Sequence, residues 1–134
     1  MSSSEYVIRS YQSADHDGVV ALWNTVFPDE QPWNEPSQLI TRKLAVQPNL
    51  LVVCSSGTNI IGAIVAGFDG VRGWVHHLAV HPNSRRQGIA TQLMRAAEHG
   101  LKELGCPKVN LQVRATNTEV INFYRAVGYA VEER

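Results

Sequence analysis

Between residues 50 and 104 the apolar side chains change their spacing, and this change restricts the fold more than any other feature of the chain. Three short apolar runs, "LLVVC", "IIGAIVAG" and "WVHHLAV", are separated by the turn-rich segments "SSGTN" and "DGVRG". From Ile89 to Leu104 the apolar residues recur every three or four positions, and Gly105 ends the pattern. Three strands joined by tight turns and followed by a long amphipathic helix predict an antiparallel meander covered by that helix.

The flanking segments extend this pattern in both directions. "YVIRSY" reads as a first strand, Asp15 as the cap of a helix that Pro28 ends, and residues 37–46 as a second helix. After the long helix come a strand in "KVNLQVR", a helix capped by Asn117, and a short strand in "YAVEE". The predicted fold class is therefore α/β: a mixed sheet of about six strands flanked by four helices, with a right-handed crossover through the long helix.

Composition excludes several functional classes. The 134 residues predict one domain, 1–134, and the 12 basic and 12 acidic side chains cancel. A neutral chain is not expected to bind nucleic acid or a membrane surface. The two cysteines, Cys54 and Cys106, and the scattered histidines give no metal-ligand spacing, so no metal is expected. Neither a signal sequence nor a membrane-spanning apolar stretch is present, which predicts a cytoplasmic protein.

The segment "HPNSRRQGIAT" lies where the third apolar run gives way to the long helix. A helix start presents free backbone amides and a partial positive charge, which together bind anions. Gly88 and Ala90 keep the backbone accessible, and Arg85 and Arg86 add cations suited to phosphate. Two interpretations remain open on the residues alone: a diphosphate cradle, or a turn with a glycine and two solvated arginines.

This turn and the segment that follows resemble the GNAT superfamily of acyl-CoA-dependent N-acetyltransferases. Arg85, Gly88 and Ala90, which follow "LAVHP", match the family's Arg/Gln-x-x-Gly-x-Gly/Ala signature. "LQVRATNTEVINFYRAVGY" is similar to a second family segment, in the form it takes in the acetyltransferase of a ribosomal protein's N-terminal alanine. The resemblance implies a GNAT-like fold, acetyl-CoA as co-substrate, and transfer of an acetyl group to a primary amine of a small molecule or of a protein or peptide N-terminus.

The resemblance also implies which residues hold the co-substrate. The strand end would pair with the pantetheine arm, the backbone of the turn would hold the diphosphate, and the Asn117 position, besides capping its helix, would contact the arm. The implied set is Leu78, Ala79, Val80, Arg85, Arg86, Gln87, Gly88, Ile89, Ala90, Thr91, Asn117 and Tyr124.

Tyr124 matches the family tyrosine that lies beside the sulfur of acetyl-CoA. When an amine attacks the thioester, a thiolate must leave. A phenol of pKa about 10 can give a hydrogen bond or a proton to a thiolate whose thiol has a pKa of about 8.5. The resemblance therefore implies that Tyr124 is the general acid, whereas its helical spacing beside Phe123 alone would favour a core aromatic.

The general base is the main departure from the family pattern. The similar alanine acetyltransferase has a glutamate where this chain has Gln112, and an amide does not accept a proton at neutral pH. His76 matches a histidine of the serotonin-type acetyltransferases, and an imidazole of pKa about 6.5 accepts a proton. Strand alternation predicts residues 76, 78 and 80 on one face and His77 on the other. A structural histidine, with an amine that arrives neutral, is the alternative.

The acceptor side is specified less clearly. The loop "FPDEQPWNEP" holds Trp33 and Asn34 among three carboxylates, which would suit a cationic amine or peptide; a solvated loop is the alternative. The family's usual last strand is missing after "YAVEE", so either a partner subunit completes the edge in a homodimer or the sheet ends with an open strand.

These residues favour direct transfer in a ternary complex, because no cysteine or serine has a nucleophile's surroundings. The alternative is a non-catalytic acyl-CoA-binding or regulatory module that has lost its base, as Gln112 allows. A generic phosphate-ligand binder is a third interpretation.

Overall fold

The computed structural model describes residues 5–113 and 116–132. Within them, five strands form one sheet in chain order. The first four strands pair antiparallel and the fifth pairs parallel to the fourth, which confirms the predicted mixed sheet. The strands are β1 (Val7–Ser10), β2 (Leu51–Ser56), β3 (Asn59–Phe68), β4 (Gly73–Val80) and β5 (Val109–Asn110).

Four helices flank this sheet, as the sequence predicts: α1 (His16–Val26), α2 (Pro36–Leu44), α3 (Ile89–Glu103) and α4 (Thr118–Ala126). The apolar side chains of α1 and α2 pack on one face of the sheet in a cluster centred on Trp23 and Ile40. Those of α3 pack on the other face around Leu93 and Met94, and side chains of α4 adjoin this second cluster. No helix in the described ranges is both long and apolar enough to cross a bilayer.

The carboxyl-terminal part of the sheet is shorter than predicted. Only two residue pairs join β5 to β4, and "YAVEE" forms no strand over residues 129–132, its last residue lying outside the described ranges. Side chains anchor this segment instead: the Tyr129 hydroxyl donates to Glu98 (2.7 Å), and Lys108 pairs with Glu132 (3.0 Å). The described sheet therefore has five strands rather than about six.

A bulge interrupts β4 at its histidines. Val65 of β3 pairs with His76 and Ala63 pairs with Ala79, so β4 has one more residue than β3 between these pairs. His77 takes up the extra residue with a φ of 54°, in the left-handed region that side chains rarely adopt.

The bulge overturns the predicted alternation, since the rings of His76 and His77 contact each other with centroids 5.2 Å apart. His76 opens on the side that α2 covers, and His77 packs against Trp23 and Phe27 of the α1 side. Leu78 and Val80 pack in the α3 cluster. The prediction that residues 76, 78 and 80 share a face was therefore wrong.

Asp15 does not cap α1 with its side chain, contrary to the sequence prediction. Its carboxylate instead receives two hydrogen bonds from the Arg9 guanidinium (2.7 and 3.0 Å) and one from the Gln12 amide (2.8 Å). The Arg9 hydrogen bonds are the main cause that lowers the pKa of Asp15. This buried carboxylate thus joins β1 to the start of α1.

Candidate active site

The turn before α3 leaves the start of the helix open. Gly88 occupies the N-cap position with a φ of 77°, and no side chain caps the helix. Arg86 also has a positive φ, of 67°, while Arg85 is anchored by a hydrogen bond from its Nε to the Val80 carbonyl (3.2 Å). A Cβ added at Gly88 would meet no protein atom within 4 Å, so its glycine is required by conformation. Uncapped amides and two exposed arginines fit the diphosphate of coenzyme A.

Two further contacts tie this turn and the first part of α3 to Tyr6, the residue before β1. The Tyr6 hydroxyl donates to the Gln87 carbonyl (3.3 Å) and accepts from the Gln92 side chain (2.7 Å). Sequence analysis missed Tyr6, which lies 81 residues from Gln87 along the chain and carries no motif. The Ile89 side chain is in the core, so only its backbone faces the turn. Ala90 and Thr91 continue the first turn of the helix.

Strands β4 and β5 separate near the start of β4, and the turn before α3 lies past the other end of that strand. They pair only at Gly73–Val109 and Trp74–Asn110. Beyond that point β4 continues to Val80, paired on its other edge with β3 through Ala79 and Val80. The edge of β4 that contains Leu78, Ala79 and Val80 thus has no strand partner on the β5 side within the described ranges, and it leads toward Gly88.

Asn117 performs the capping role that its sequence position predicts. Its Oδ1 accepts a long hydrogen bond, 3.4 Å, from the Val120 amide at the start of α4. The residue is exposed, so the cap leaves most of its side chain free. Contact with the pantetheine arm stays a prediction.

Tyr124 lies on α4 among aromatic neighbours. Its ring packs edge-on against Phe123 (5.1 Å) and Tyr129 (6.0 Å), and it adjoins the α3 cluster. Burial raises its pKa to about 12, so the hydroxyl keeps its proton at neutral pH. Within the described ranges the hydroxyl has no protein hydrogen-bond partner, and it is free to donate to another molecule.

A carboxylate and two imidazoles form a short chain on the other side of β4. The Oε2 of Glu30 lies 3.3 Å from the Nε2 of His77, and the Nδ1 of His77 lies 3.0 Å from the Nδ1 of His76. The Glu30 contact is close but not aligned as a hydrogen bond, and Nε2 of His77 is buried with no other polar partner. Sequence analysis missed this chain, because only the bulge brings the two imidazoles to one face.

Both imidazoles are held in the neutral form. Desolvation is the main cause that lowers the pKa of His76 to about 4, and the charges of His77 and Lys43 add to it. Desolvation also lowers the pKa of His77, against the opposing effect of Glu30. His76 still opens onto solvent in a groove between α2 and β4, so its neutral ring is accessible.

That groove, called here the α2–β4 groove, has a volume of about 390 Å³, and Asn34 is on its wall. Trp33 does not line this groove. It is 66% exposed, and its carbonyl accepts a hydrogen bond from Arg42 (2.6 Å). Residues that sequence analysis did not select supply the rest of the wall, among them Lys43, Val46, Gln47, Phe68 and Trp74.

The loop carboxylates have local structural roles. Glu35 caps α2 by accepting hydrogen bonds from the Ser37 and Gln38 amides, and Glu30 faces His77. A contact of this loop with a cationic amine or peptide stays a prediction.

The remaining candidates show little reactivity. Gln112 is exposed, and both cysteines are free thiols. Burial raises the pKa of Cys54 to about 11, which keeps this thiol protonated and unreactive. Residues 5–113 and 116–132 hold no group of three His, Cys, Asp or Glu side chains that could bind a metal ion.

Solved structures with the same fold are known. Ard1 from Thermoplasma volcanium superposes with a TM-score of 0.84 at 24% identity, over 96% of this chain and 84% of that one. The aminoglycoside acetyltransferase AAC(6')-Iy, solved with the bisubstrate analog CoA-S-monomethyl-acetylneamine, gives a TM-score of 0.79 at 19% identity, over 97% and 94% of the two chains.

Sequence comparison gives the family. The model of the Acetyltransferase (GNAT) family matches residues 16–129. An acetyltransferase of Sodalis glossinidius, SG1711, is 38% identical over 126 residues, covering 94% of this chain and 88% of the relative. A second, YE1169 of Yersinia enterocolitica, is 37% identical over 126 residues, covering 94% and 89%. The chain therefore belongs to the GNAT family of acetyltransferases.

Proposed function

We propose that this protein is an N-acetyltransferase that transfers an acetyl group from acetyl-CoA directly to a primary amine within a ternary complex. The observation that carries the proposal is the uncapped start of α3, led by Gly88, together with the edge of β4 that β5 leaves unpaired after Trp74 in the described ranges. This arrangement offers amides for a diphosphate and a free strand edge for an amide-containing arm. The proposed enzyme is a single domain, 1–134, located in the cytoplasm.

The residues proposed to hold acetyl-CoA are those of the strand end and the turn. Leu78, Ala79 and Val80 would offer backbone groups to the pantetheine arm, and the amides of residues 86–91 would hold the diphosphate. Arg85 keeps the turn attached to β4, and Arg86 adds an exposed cation. Bound there, acetyl-CoA supplies an acetyl thioester.

His76 is the proposed proton acceptor, and its neighbours define which nitrogen is free. The Glu30 carboxylate favours a proton on Nε2 of His77, which leaves Nδ1 of His77 as an acceptor. The Nδ1 of His76, 3.0 Å away, then carries the donated proton. This assignment leaves Nε2 of His76 unprotonated and able to accept a proton.

Because the pKa of His76 is about 4, its ring accepts a proton only at a late stage of the reaction. An alkyl ammonium group with a pKa of about 10 does not lose its proton to so weak a base. The amine therefore binds in its neutral form. The attacking nitrogen becomes acidic once its bond to the acetyl carbon has formed, and at that stage His76 takes its proton.

Tyr124 is the proposed donor to the departing sulfur. Its pKa of about 12 is well above that of a thiol, which is about 8.5. Full transfer of the phenolic proton is therefore unfavourable, and a hydrogen bond from the hydroxyl to the developing thiolate is the role that its chemistry supports. Of the two roles open for a phenol, the hydrogen-bond donor is favoured.

Binding and turnover test the proposal separately. Calorimetry with coenzyme A and with acetyl-CoA should show saturable binding, and acetyl-CoA should release thiol only when an amine is added. A panel of small amines, amino acids and short peptides supplies the acceptors. The His76→Gln and Tyr124→Phe variants should bind coenzyme A normally and turn over more slowly. The absence of any coenzyme A binding would overturn the assignment.

One observation favours a second candidate, a non-catalytic acyl-CoA-binding or regulatory module. Gln112 is an exposed amide at a position where the similar alanine acetyltransferase has glutamate. Saturable coenzyme A binding without thiol release for any acceptor of the panel would support this candidate. A homodimer completed at the short β5 edge stays a prediction, which sedimentation or light scattering tests.

A further inference from the structure

The α2–β4 groove brings the proposed base together with a cation that has no anionic partner. Its wall includes Lys43, Val46, Gln47, Phe68, Trp74 and His76. Such a wall offers a proton acceptor, an ammonium group and apolar surface within one open groove. We infer that the acceptor is a small amine that also carries a carboxylate, bound with its nitrogen toward His76 and its carboxylate at Lys43. The inference rests on the proposed function and names its substrate class.

Lys43 is the cation of this groove to which an anionic group of the ligand would bind. It is half-buried, and no carboxylate pairs with it among residues 5–113 and 116–132. Its Nζ lies over β3, 3.5 Å from where a Cβ of Gly67 would stand. The neighbouring Gln47 does not compensate it, because the Gln47 amide both donates to and accepts from the backbone of Phe68 (2.9 and 2.8 Å). Desolvation lowers the pKa of Lys43, a cost that a bound carboxylate would offset.

The other charges of the groove leave it cationic. Arg42 is on the wall beside Lys43, and its guanidinium donates to a backbone carbonyl rather than to a carboxylate. Asp69 opposes them, but its Oδ1 already accepts hydrogen bonds from the Val71 and Arg72 amides (2.7 and 2.8 Å). Two cations thus face one carboxylate that is held by its own turn. This balance favours an anionic group on the ligand and disfavours a polycation.

Sheet register limits how far apart the two ends of the ligand lie. Val65 pairs with His76, and Gly67, under the Lys43 ammonium, is two residues further along β3. Diagonal neighbours of this kind have their backbone positions about 7–8 Å apart, so the His76 imidazole and the Lys43 ammonium belong to the same short stretch of sheet. An amine and a carboxylate separated by one or two carbons match a stretch of that length. The spacing therefore suits an amino acid better than a peptide amino terminus, whose carboxylate lies further away.

Matched acceptor pairs test the inference in the full-length protein. Glycine, L-alanine, L-methionine and L-phenylalanine are compared, in acetyl-CoA thiol release, with methylamine, ethylamine, 3-(methylthio)propylamine and phenethylamine, which lack only the carboxylate. Kanamycin is the polycationic comparator. With kcat/KM expressed per neutral amine, so that the different amine pKa values of the partners cancel, at least one amino acid should exceed its carboxylate-free partner by about tenfold or more, as expected for a charge-assisted hydrogen bond. Kanamycin should be poorer than that amino acid.

Substitution at Lys43 then identifies the source of the preference. In Lys43→Gln the ratio of kcat/KM for the amino acid to kcat/KM for its carboxylate-free partner should fall about tenfold, because KM for the amino acid rises. Lys102→Gln, an exposed lysine in the last turn of α3, is the control and should keep the ratio. Circular dichroism and coenzyme A binding show that both variants are folded.

The results of these assays test the inference separately from the proposed acetyltransferase function. Transfer to the carboxylate-free amines, or to kanamycin, with equal or greater efficiency overturns the inference and leaves the acetyltransferase standing. So does a ratio of amino acid to carboxylate-free amine that is unchanged in Lys43→Gln. If no probe is acetylated, the inference also falls, and coenzyme A binding decides whether the proposed function falls with it.

Discussion

The Nδ1 atoms of His76 and His77 lie 3.0 Å apart, although the two residues are neighbours on a strand where side chains normally alternate between faces. A bulge in β4 and a left-handed φ at His77 produce this contact. One of these two nitrogens must donate and the other accept, so the protonation of each ring depends on its neighbour.

Glu30 should set the tautomer of the pair. We expect Glu30→Gln to lower kcat by about tenfold, less than the roughly 10²- to 10⁴-fold that a positioned base contributes, because its amide no longer specifies a proton on Nε2 of His77. Coenzyme A affinity should be unchanged. Asp29→Asn, the adjacent exposed carboxylate, is the matched control. Equal activity of the Glu30 variant and wild type would contradict the role.

The pH dependence of kcat/KM should follow the acceptor rather than His76. Since the pKa of His76 is about 4, the ring is already unprotonated across pH 6–9. Exchanging an acceptor of amine pKa about 10.4 for one of about 7.7 should therefore move the acidic limb down by the same interval. A limb fixed near pH 6.5 for both acceptors would show that an ordinary histidine titrates there.

Tyr124→Phe should reduce kcat about 10- to 100-fold, since a hydrogen bond to the developing thiolate is lost. Tyr129→Phe provides the comparison: its ring lies 6.0 Å away, and its hydroxyl is already engaged with Glu98. The comparison variant should lose stability but retain kcat. Steady-state kinetics at saturating acetyl-CoA distinguishes the two, and similar kcat values for both variants would argue against the Tyr124 role.

Gly88→Ala should weaken coenzyme A binding about tenfold and destabilise the fold by about 1 kcal/mol, because alanine is strained at positive φ. Gly57→Ala carries the same strain, with a φ of 60° and no protein atom near its Cβ, in the turn between β2 and β3. It should show the loss of stability alone. Calorimetry and thermal denaturation are run on both, and unchanged coenzyme A affinity in Gly88→Ala would remove the turn from the binding site.

Asp15→Asn should destabilise the protein by about 1–3 kcal/mol, because the Asp15 side chain is only 7% exposed and the Arg9 guanidinium would lose its partner. The pKa of Asp15 is lowered in the folded protein, so its contribution is present above the unfolded pKa and is lost as the pH falls through the folded one. Wild type should therefore lose stability below about pH 4, and Asp15→Asn should lose less. Asp17→Asn, whose carboxylate is fully exposed, is the control in urea denaturation.

Helix periodicity and turn residues made most of the fold predictable. The apolar stripe from Ile89 to Leu101 is the buried face of α3, and Asn117 caps α4 as expected. The strands β1 to β4 and their tight turns also follow from the sequence pattern. The two-residue length of β5 does not, because an alternating apolar segment does not reveal how much of it finds a partner.

Only those residues of the candidate active site that belong to a sequence motif could be predicted. The turn before α3 and Tyr124 stand in recognisable segments. The face of His76 was predicted wrongly, since a bulge formed by a histidine at positive φ leaves no glycine to signal it. Lys43 escaped notice, and Glu30 was noticed only as a loop carboxylate, because each becomes significant only through a tertiary neighbour that lies more than 20 residues away along the chain.

The bulge has a consequence for how this protein diversifies. It turns His76 toward the α2–β4 groove while Val75 and Val80 keep their places against α3. The His77 ring stays packed against Trp23 and Phe27, and the Trp23 indole donates to the backbone carbonyl of residue 77. Exchange of the side chain at 76 can therefore alter the chemistry of the groove without reopening the interior that keeps the chain folded.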